Sequence, residues 1–143
     1  MEHLVQLYTA DFKTQMLIPY FERGIQAGFP SPAADYMELA IDLNDTLIKN
    51  PSSTFIGRIS GVSMIEIGIF DGSLAIIDKS QRVESGNIVV AWVDDGFTLK
   101  QFKKEKGKTY LIAFNNDFKP ILIDESNYGI IWGKVTYIIN ETK

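Results

Sequence analysis

The feature that most constrains the fold is a series of short runs, rich in β-branched and aromatic residues, that begins at Thr54. Such runs favour strands because these side chains pack well on a pleated, half-buried surface. Glycine follows aspartate at Asp71 and at Asp95, a pairing typical of turns between strands. We therefore predict a mainly β fold that is compact, twisted and partly barrel-like. The predicted elements are strands over residues 54–59, 74–78, 87–93, 97–102, 110–114, 121–123 and 130–139, and short helices over residues 44–49 and for one turn after Ser63.

The first 30 residues differ from this pattern. Their apolar side chains follow neither a helical nor a strand period, and the segment is too short to form a core alone. Pro30 and Pro32 bias their neighbours toward extended backbone and mark a boundary. We expect residues 1–30 to form an extended N-terminal arm against the domain or a second subunit, and residues 31–143 to form the domain.

The composition bounds the class of protein. With 143 residues, of which 45% are hydrophobic and 22% charged, the chain is typical of one globular domain. It has no cysteine and one histidine, His3, so disulfides are excluded and a zinc site or a Ser-His-Asp triad is poorly supplied. No apolar run approaches the ~20 residues of a membrane-spanning helix. We expect a cytoplasmic protein that uses no membrane, metal or organic cofactor.

The net charge of −4 argues against direct binding to nucleic acid, which requires a basic face. Lysines do cluster along a predicted hairpin that turns at Lys106 and Gly107. A solvated hairpin tip explains this cluster, and a docking patch for an acidic partner is the alternative. The cluster consists of Lys100, Lys103, Lys104, Lys106 and Lys108.

Ser63 and Lys100 are the candidate catalytic residues. Ser63 lies in a turn of small residues, and Lys100 interrupts an apolar run. A serine hydroxyl becomes a nucleophile when a base removes its proton, and lysine serves as that base only when neutral, although its unperturbed pKa is about 10.4. Burial in an apolar strand lowers that pKa because it disfavours the ammonium form. Thr98 lies on the same strand face as Lys100 and can orient the amine.

Structural roles also stay open for these residues. Lys100 can be one of several hairpin lysines in contact with water, and Ser63 can be a helix N-cap. The start of a helix also leaves backbone N–H groups without partners, and such groups can stabilise a developing oxyanion. We expect Val62 and Ser63 to supply these backbone donors.

A peptide that such a pair can cleave lies in the same chain. Ala27 and Gly28 are small, and small side chains allow the backbone to approach a nucleophile closely. The segment with Pro30 and Pro32 that follows is extended, as peptides in protease grooves usually are. The combination predicts a protein that cuts itself.

Taken together, these segments resemble the LexA/UmuD family of self-processing Ser/Lys peptidases. The resemblance implies that Ser63 is the nucleophile, that Lys100 is the general base, and that the cleaved bond joins Ala27 to Gly28. It also implies the mainly β fold of LexA and the signal peptidases, with an N-terminal arm. The similarity extends from about residue 28 to residue 139 and is densest at residues 28–36, 41–44, 60–64, 71–72 and 97–100 and at Asp78.

Within the family, the chain is most similar to the UmuD-like branch, because the residues before Gly28 are too few for the helix-turn-helix domain of LexA. That branch implies a homodimer that cleaves itself on a RecA filament formed on single-stranded DNA. It further implies that the shortened dimer joins a UmuC-type Y-family polymerase subunit for error-prone translesion synthesis in the SOS response. Ala27 and Val62 depart from the UmuD pattern, which has a cysteine and a polar residue at these positions.

Two other functions stay open. The chain can be a non-catalytic regulatory module of a polymerase complex, in which case purified protein at mildly alkaline pH yields no fragments. It can also be a LexA-type repressor peptidase domain without its DNA-binding part.

Overall fold

The computed structural model describes residues 5–8, 17–21, 37–127 and 129–142, which form ten strands and one short α-helix. The chain divides into two compact units, one of residues 1–10 with 52–143 and the other of residues 11–51. The elements are β1 (Val5–Tyr8), β2 (Leu17–Phe21), β3 (Met37–Asp42), α1 (Leu43–Leu47), β4 (Thr54–Ile59), β5 (Leu74–Asp78), β6 (Ile88–Val93), β7 (Gly96–Glu105), β8 (Lys108–Ile112), β9 (Ile121–Ile123) and β10 (Ile130–Ile139), with 3-10 helices at Pro51–Ser53 and Ile65–Ile67.

The larger unit is built on one sheet of eight strands in the order β1-β4-β5-β10-β6-β7-β8-β9. Every neighbouring pair is antiparallel. Within the described residues, β1 and β9 form the two edges, so the sheet is not closed into a barrel. The predicted mainly β fold with little helix is therefore confirmed, and the sheet that carries it is open.

Most strands of this sheet follow the local sequence pattern. The bounds of β4, β5, β9 and β10 are those predicted from their β-branched and aromatic residues. Strand β7 is longer than predicted because its polar half continues to pair with β8, where Glu105 lies opposite Lys108. The hairpin between them turns at Lys106 and Gly107, both at positive φ, as predicted. The single turn predicted after Ser63 is the 3-10 helix Ile65–Ile67.

The turn between β6 and β7 differs from the prediction by one position. Asp94 and Asp95 have φ of 49° and 62° and form the turn. Gly96 is buried, belongs to β7 and pairs with Val93. Aspartate tolerates the left-handed region better than most residues with a Cβ, which explains why two aspartates can replace the predicted Asp-Gly pair. The other predicted Asp-Gly turn, with Gly72 at φ +90°, lies in the long connection between β4 and β5.

Strand β1 was not recognisable in the sequence. It pairs with β4, and Val5 is buried in the same core cluster as Ile59 and Leu99. Gly57 permits this approach, since a Cβ at that position would lie 2.6 Å from Val5 Cγ1. A strand of four residues is too short to show a period, so its conformation is set by pairing with β4.

The smaller unit contains an antiparallel pair formed by β2 and β3, followed by α1. Asp42 caps α1, because its Oδ1 accepts from the Asn44 N–H at 3.1 Å. The predicted cleavage-site residues Ala27 and Gly28 belong to the connection between β2 and β3 and lie outside the described residues. The division into an arm and a domain at residue 30 stays a prediction. In the part of the chain that is described, no helix has the length and apolar character needed to cross a membrane.

Candidate active site

Ser63 lies in the connection that joins β4 to β5. Gly61 has φ +94°, a conformation that a residue without a Cβ adopts readily. Its N–H donates to Asp71 Oδ1 at 2.9 Å, which fastens the start of the connection to its end. Met64 is buried in the core and anchors the turn there. These constraints place Ser63 two residues before the 3-10 helix, with only 3% of its surface exposed.

Lys100 is located in the first half of β7. The strand segment around it is packed into the sheet, with Thr98 and Leu99 buried and Lys100 opposite the buried Val89 on β6. Lys100 itself is 4% exposed. Its interpretation as a hairpin lysine in contact with water is therefore wrong. The remaining four lysines of the predicted cluster are exposed, as expected for a solvated hairpin tip.

The structure brings the two candidate residues into contact. Lys100 Nζ donates to Ser63 Oγ at 2.9 Å and to Thr98 Oγ1 at 2.7 Å. A longer contact of 3.3 Å reaches the Leu99 carbonyl. Thr98 meets the amine because residues two apart on a strand share a face. The ring centroid of Phe118 lies 6.0 Å from Nζ. The three oxygens named here are uncharged, and each can bind a neutral amine as well as an ammonium group.

Hydrogen bonds hold the backbone of the turn that carries Ser63. The Val62 carbonyl accepts from Asn115 Nδ2 at 2.9 Å and from the Ile65 N–H at 3.3 Å. The Phe114 carbonyl accepts from the Glu66 N–H at 3.0 Å. Within the described ranges, the N–H groups of Val62 and Ser63 donate to no acceptor. An oxyanion site built from these two N–H groups stays a prediction.

An open groove of about 990 Å³ lies beside this turn. Val62, Ile65 and Phe70 contribute exposed apolar surface to it, and Arg58 and Glu141 contribute charge. Exposed apolar side chains grouped in an open groove suit the binding of an extended peptide. No sequence pattern indicates this groove, because its residues come from distant segments.

Sequence reasoning did not find Asn115 or Phe118. Asn115 begins an Asn-Asn-Asp run after a strand, which predicts a turn, and its Oδ1 does accept from the Asp117 N–H at 3.0 Å. Nothing in the run indicates that the same side chain also reaches Val62. Phe118 likewise reads as an ordinary apolar residue in a loop.

Comparison with known proteins identifies the family of the chain. A model of the family described as Peptidase S24-like matches residues 19–136. The chain is 38% identical over 129 residues to protein SamA of Salmonella typhimurium, covering 90% of this chain and 89% of the relative. It is 37% identical over 125 residues to protein MucA of Escherichia coli, covering 87% and 85%. A LexA repressor, from Photorhabdus laumondii, is 40% identical over 106 residues, which cover 74% of this chain and 52% of the repressor. The resemblance found in the sequence is confirmed.

Proposed function

The chain belongs to the Peptidase S24-like family, and from this premise we propose that it is a self-cleaving serine peptidase with Ser63 as nucleophile and Lys100 as general base. The observation that carries the proposal is the 2.9 Å contact between two side chains that are each more than 95% buried. A buried lysine beside a serine hydroxyl is costly to maintain for stability alone, and it suits proton transfer.

Proton removal from Ser63 is the first step. Burial disfavours the ammonium form, so we expect the pKa of Lys100 to lie below its usual value. The neutral amine donates to Thr98 Oγ1 and to the Leu99 carbonyl, and its lone pair then faces the Ser63 hydroxyl. In this state the direction of the 2.9 Å hydrogen bond reverses, and the hydroxyl donates to Nζ.

Attack and release follow from the same two groups. Ser63 Oγ adds to the Ala27 carbonyl carbon, and its proton passes to Lys100 Nζ. The tetrahedral oxyanion is stabilised by the backbone N–H groups of Val62 and Ser63. Collapse breaks the Ala27–Gly28 bond, and Lys100 returns the proton to the departing Gly28 amine. Lys100 then takes a proton from water as the water oxygen adds to the Ala27 ester, and it returns that proton to Ser63 Oγ when the ester bond breaks, which regenerates both groups.

A substrate within the chain makes a modest catalyst sufficient. Ala27 and Gly28 belong to the same molecule as Ser63, and tethering replaces a bimolecular encounter by an internal one. We propose that docking on a RecA filament on single-stranded DNA activates this step. We further propose that the chain is a cytoplasmic homodimer, and that its shortened form joins a UmuC-type polymerase subunit in the SOS response. The similarity to SamA, MucA and LexA repressor supports this role.

Incubation of purified protein at mildly alkaline pH tests the proposed function. We expect mass spectrometry to find two fragments, residues 1–27 and 28–143. Ser63→Ala should yield neither fragment while keeping the circular dichroism spectrum of the parent. Ser60→Ala is the matched control, because Ser60 is an exposed serine in the same connection. Fragments that form at the parent rate in Ser63→Ala would remove this residue from the mechanism, and a parent that stays intact would favour a regulatory module.

A further inference from the structure

Asn115 makes contacts in two directions. Its Nδ2 donates to the Val62 carbonyl at 2.9 Å, while its Oδ1 accepts from the Asp117 N–H at 3.0 Å. Its backbone carbonyl accepts from the Phe118 N–H at 3.1 Å. The Phe118 ring lies over Lys100 Nζ, with its centroid 6.0 Å away. One residue therefore joins the turn that carries the nucleophile to the loop beside the base.

The contact with Val62 determines where the next N–H group points. In a planar trans peptide unit the carbonyl and the following N–H point in opposite directions. The Val62 carbonyl is held by Asn115 Nδ2 and by the Ile65 N–H, so the Ser63 N–H is directed away from Asn115. In the part of the chain that the structure describes, this N–H meets no acceptor. It is therefore a donor held in a fixed orientation beside the Ser63 hydroxyl.

We propose that Asn115 is a positioning residue of the cleavage reaction, because it holds the Val62 carbonyl and thereby fixes the Ser63 N–H in the orientation that stabilises the oxyanion. The inference rests on the self-cleavage proposed above. A donor contributes most when it is oriented before the reaction, and outright loss of one oxyanion donor lowers a rate by about 10²–10³. Loss of the contact that orients it should cost less, about 10-fold to 100-fold.

The test is the pH dependence of self-cleavage in full-length Asn115→Asp. Aspartate keeps an oxygen for the Asp117 N–H but removes the Nδ2 donor to the Val62 carbonyl. We expect the rate at the alkaline plateau to fall by about 10-fold to 100-fold, with the pH of half-maximal rate unchanged in Asn115→Ala. A change confined to the plateau reports on the oxyanion, whereas a shifted midpoint reports on Lys100. Asn115→Ala removes the same donor without adding a charge and should lower the plateau as well, so it serves if the aspartate variant does not fold.

Asn127→Asp is the matched control. Asn127 Nδ2 donates to the Leu122 carbonyl at 2.8 Å, and its Oδ1 accepts from the Asp124 N–H at 3.2 Å, which is the same pair of roles in the connection between β9 and β10. This control should keep the parent plateau and midpoint. If Asn115 contributed to folding alone, Asn115→Asp would lower the melting temperature as Asn127→Asp does. The cleavage rate at the alkaline plateau would then equal that of the parent.

Three outcomes separate this inference from the proposed function. Parent-level cleavage in Asn115→Asp and Asn115→Ala, while Ser63→Ala is inactive, overturns the role of Asn115 alone. A lowered plateau with a shifted midpoint in Asn115→Ala, which adds no charge, also overturns it, because Asn115 would then act through Lys100. Cleavage that persists in Ser63→Ala overturns the proposed function, and this inference with it.

Discussion

The two halves of β7 carry lysines of identical chemistry in opposite environments. Lys100, in the first half, is buried and contacts Ser63 and Thr98. Lys103, in the second half, has a side chain that is 51% exposed and pairs with Glu105 at 3.5 Å. The comparison shows that the packing of a strand segment, and not the residue type, decides whether water stabilises an ammonium group or is kept away from it.

Strand pairing explains why the two halves differ. The first half of β7, up to Gln101, pairs with β6, whose residues are largely buried. The second half pairs with β8, also shares hydrogen bonds with residues 85–87, and ends at the exposed hairpin tip. Leu99 belongs to the main core cluster, whereas Lys103, Lys104 and Glu105 are in contact with solvent. One continuous strand therefore extends from the core into water.

The largest effect is expected when lysine is replaced by arginine, first in one half of β7 and then in the other. Lys100→Arg should lower the cleavage rate by about 10²–10⁴, the usual contribution of a positioned general base, since arginine stays charged. Lys103→Arg should cleave at the parent rate. In the parent, the rate should rise with pH through the pKa of Lys100, which we expect burial to lower, and should become constant once the amine is neutral. Rates of fragment formation from about pH 6 to pH 10 measure both variants.

The same pKa predicts the direction of a stability change. Between the folded pKa of Lys100 and the unfolded value of about 10.4, the unfolded chain binds the extra proton. The contribution of Lys100 to stability therefore increases with pH across that window. Lys100→Met, which removes the buried amine, should melt at a higher temperature than the parent at neutral pH. A cleavage rate that does not change with pH in the parent, or cleavage that persists in Lys100→Arg, would exclude Lys100 as the general base.

Local sequence was sufficient to predict several strands and one turn. The bounds of β4 and β5 and the turn at Lys106 and Gly107 follow from β propensity and from the conformational freedom of glycine, which act over a few residues. Ser63 and Lys100 were selected from short motifs. Their 2.9 Å contact joins residues 37 positions apart, and a distance of this kind depends on the pairing of whole strands.

Three features could not be predicted from the sequence, and the physical cause is the same for each. β1 adopts its conformation by pairing with β4, and Asn115 acquires its role by reaching a carbonyl in a distant turn. Both depend on long-range contacts that leave no local period. The extension of β7 to Glu105 belongs to this class, since its polar residues are held in the strand by β8.

A smaller effect, on the free energy of unfolding, is expected from a substitution in the core cluster that contains Leu99 of β7. Val5 belongs to the core cluster that contains Leu99, although it lies in the segment expected to be a detachable arm. Val5→Ala should lower the free energy of unfolding by about 1–3 kcal/mol, through lost burial and a residual cavity. Val62→Ala, at a valine that is 46% exposed, should change it by less than about 0.5 kcal/mol. Urea denaturation measures both variants, each made in a Ser63→Ala background. Equal denaturation midpoints with and without Val5→Ala would show that β1 contributes nothing to the core.

The smallest effect is expected in the second half of β7. Lys103 and Glu105 form an exposed ion pair, and such pairs contribute about 0–1 kcal/mol because water and salt screen them. Glu105→Gln should therefore lower the free energy of unfolding by at most this amount, with the difference shrinking as salt is raised, and should leave the cleavage rate unchanged. Urea denaturation at low and high ionic strength measures the first expectation, and fragment formation at the alkaline plateau measures the second. A cleavage rate that falls in Glu105→Gln would mean that the exposed half of β7 influences Lys100, and the contrast between the two halves would no longer hold.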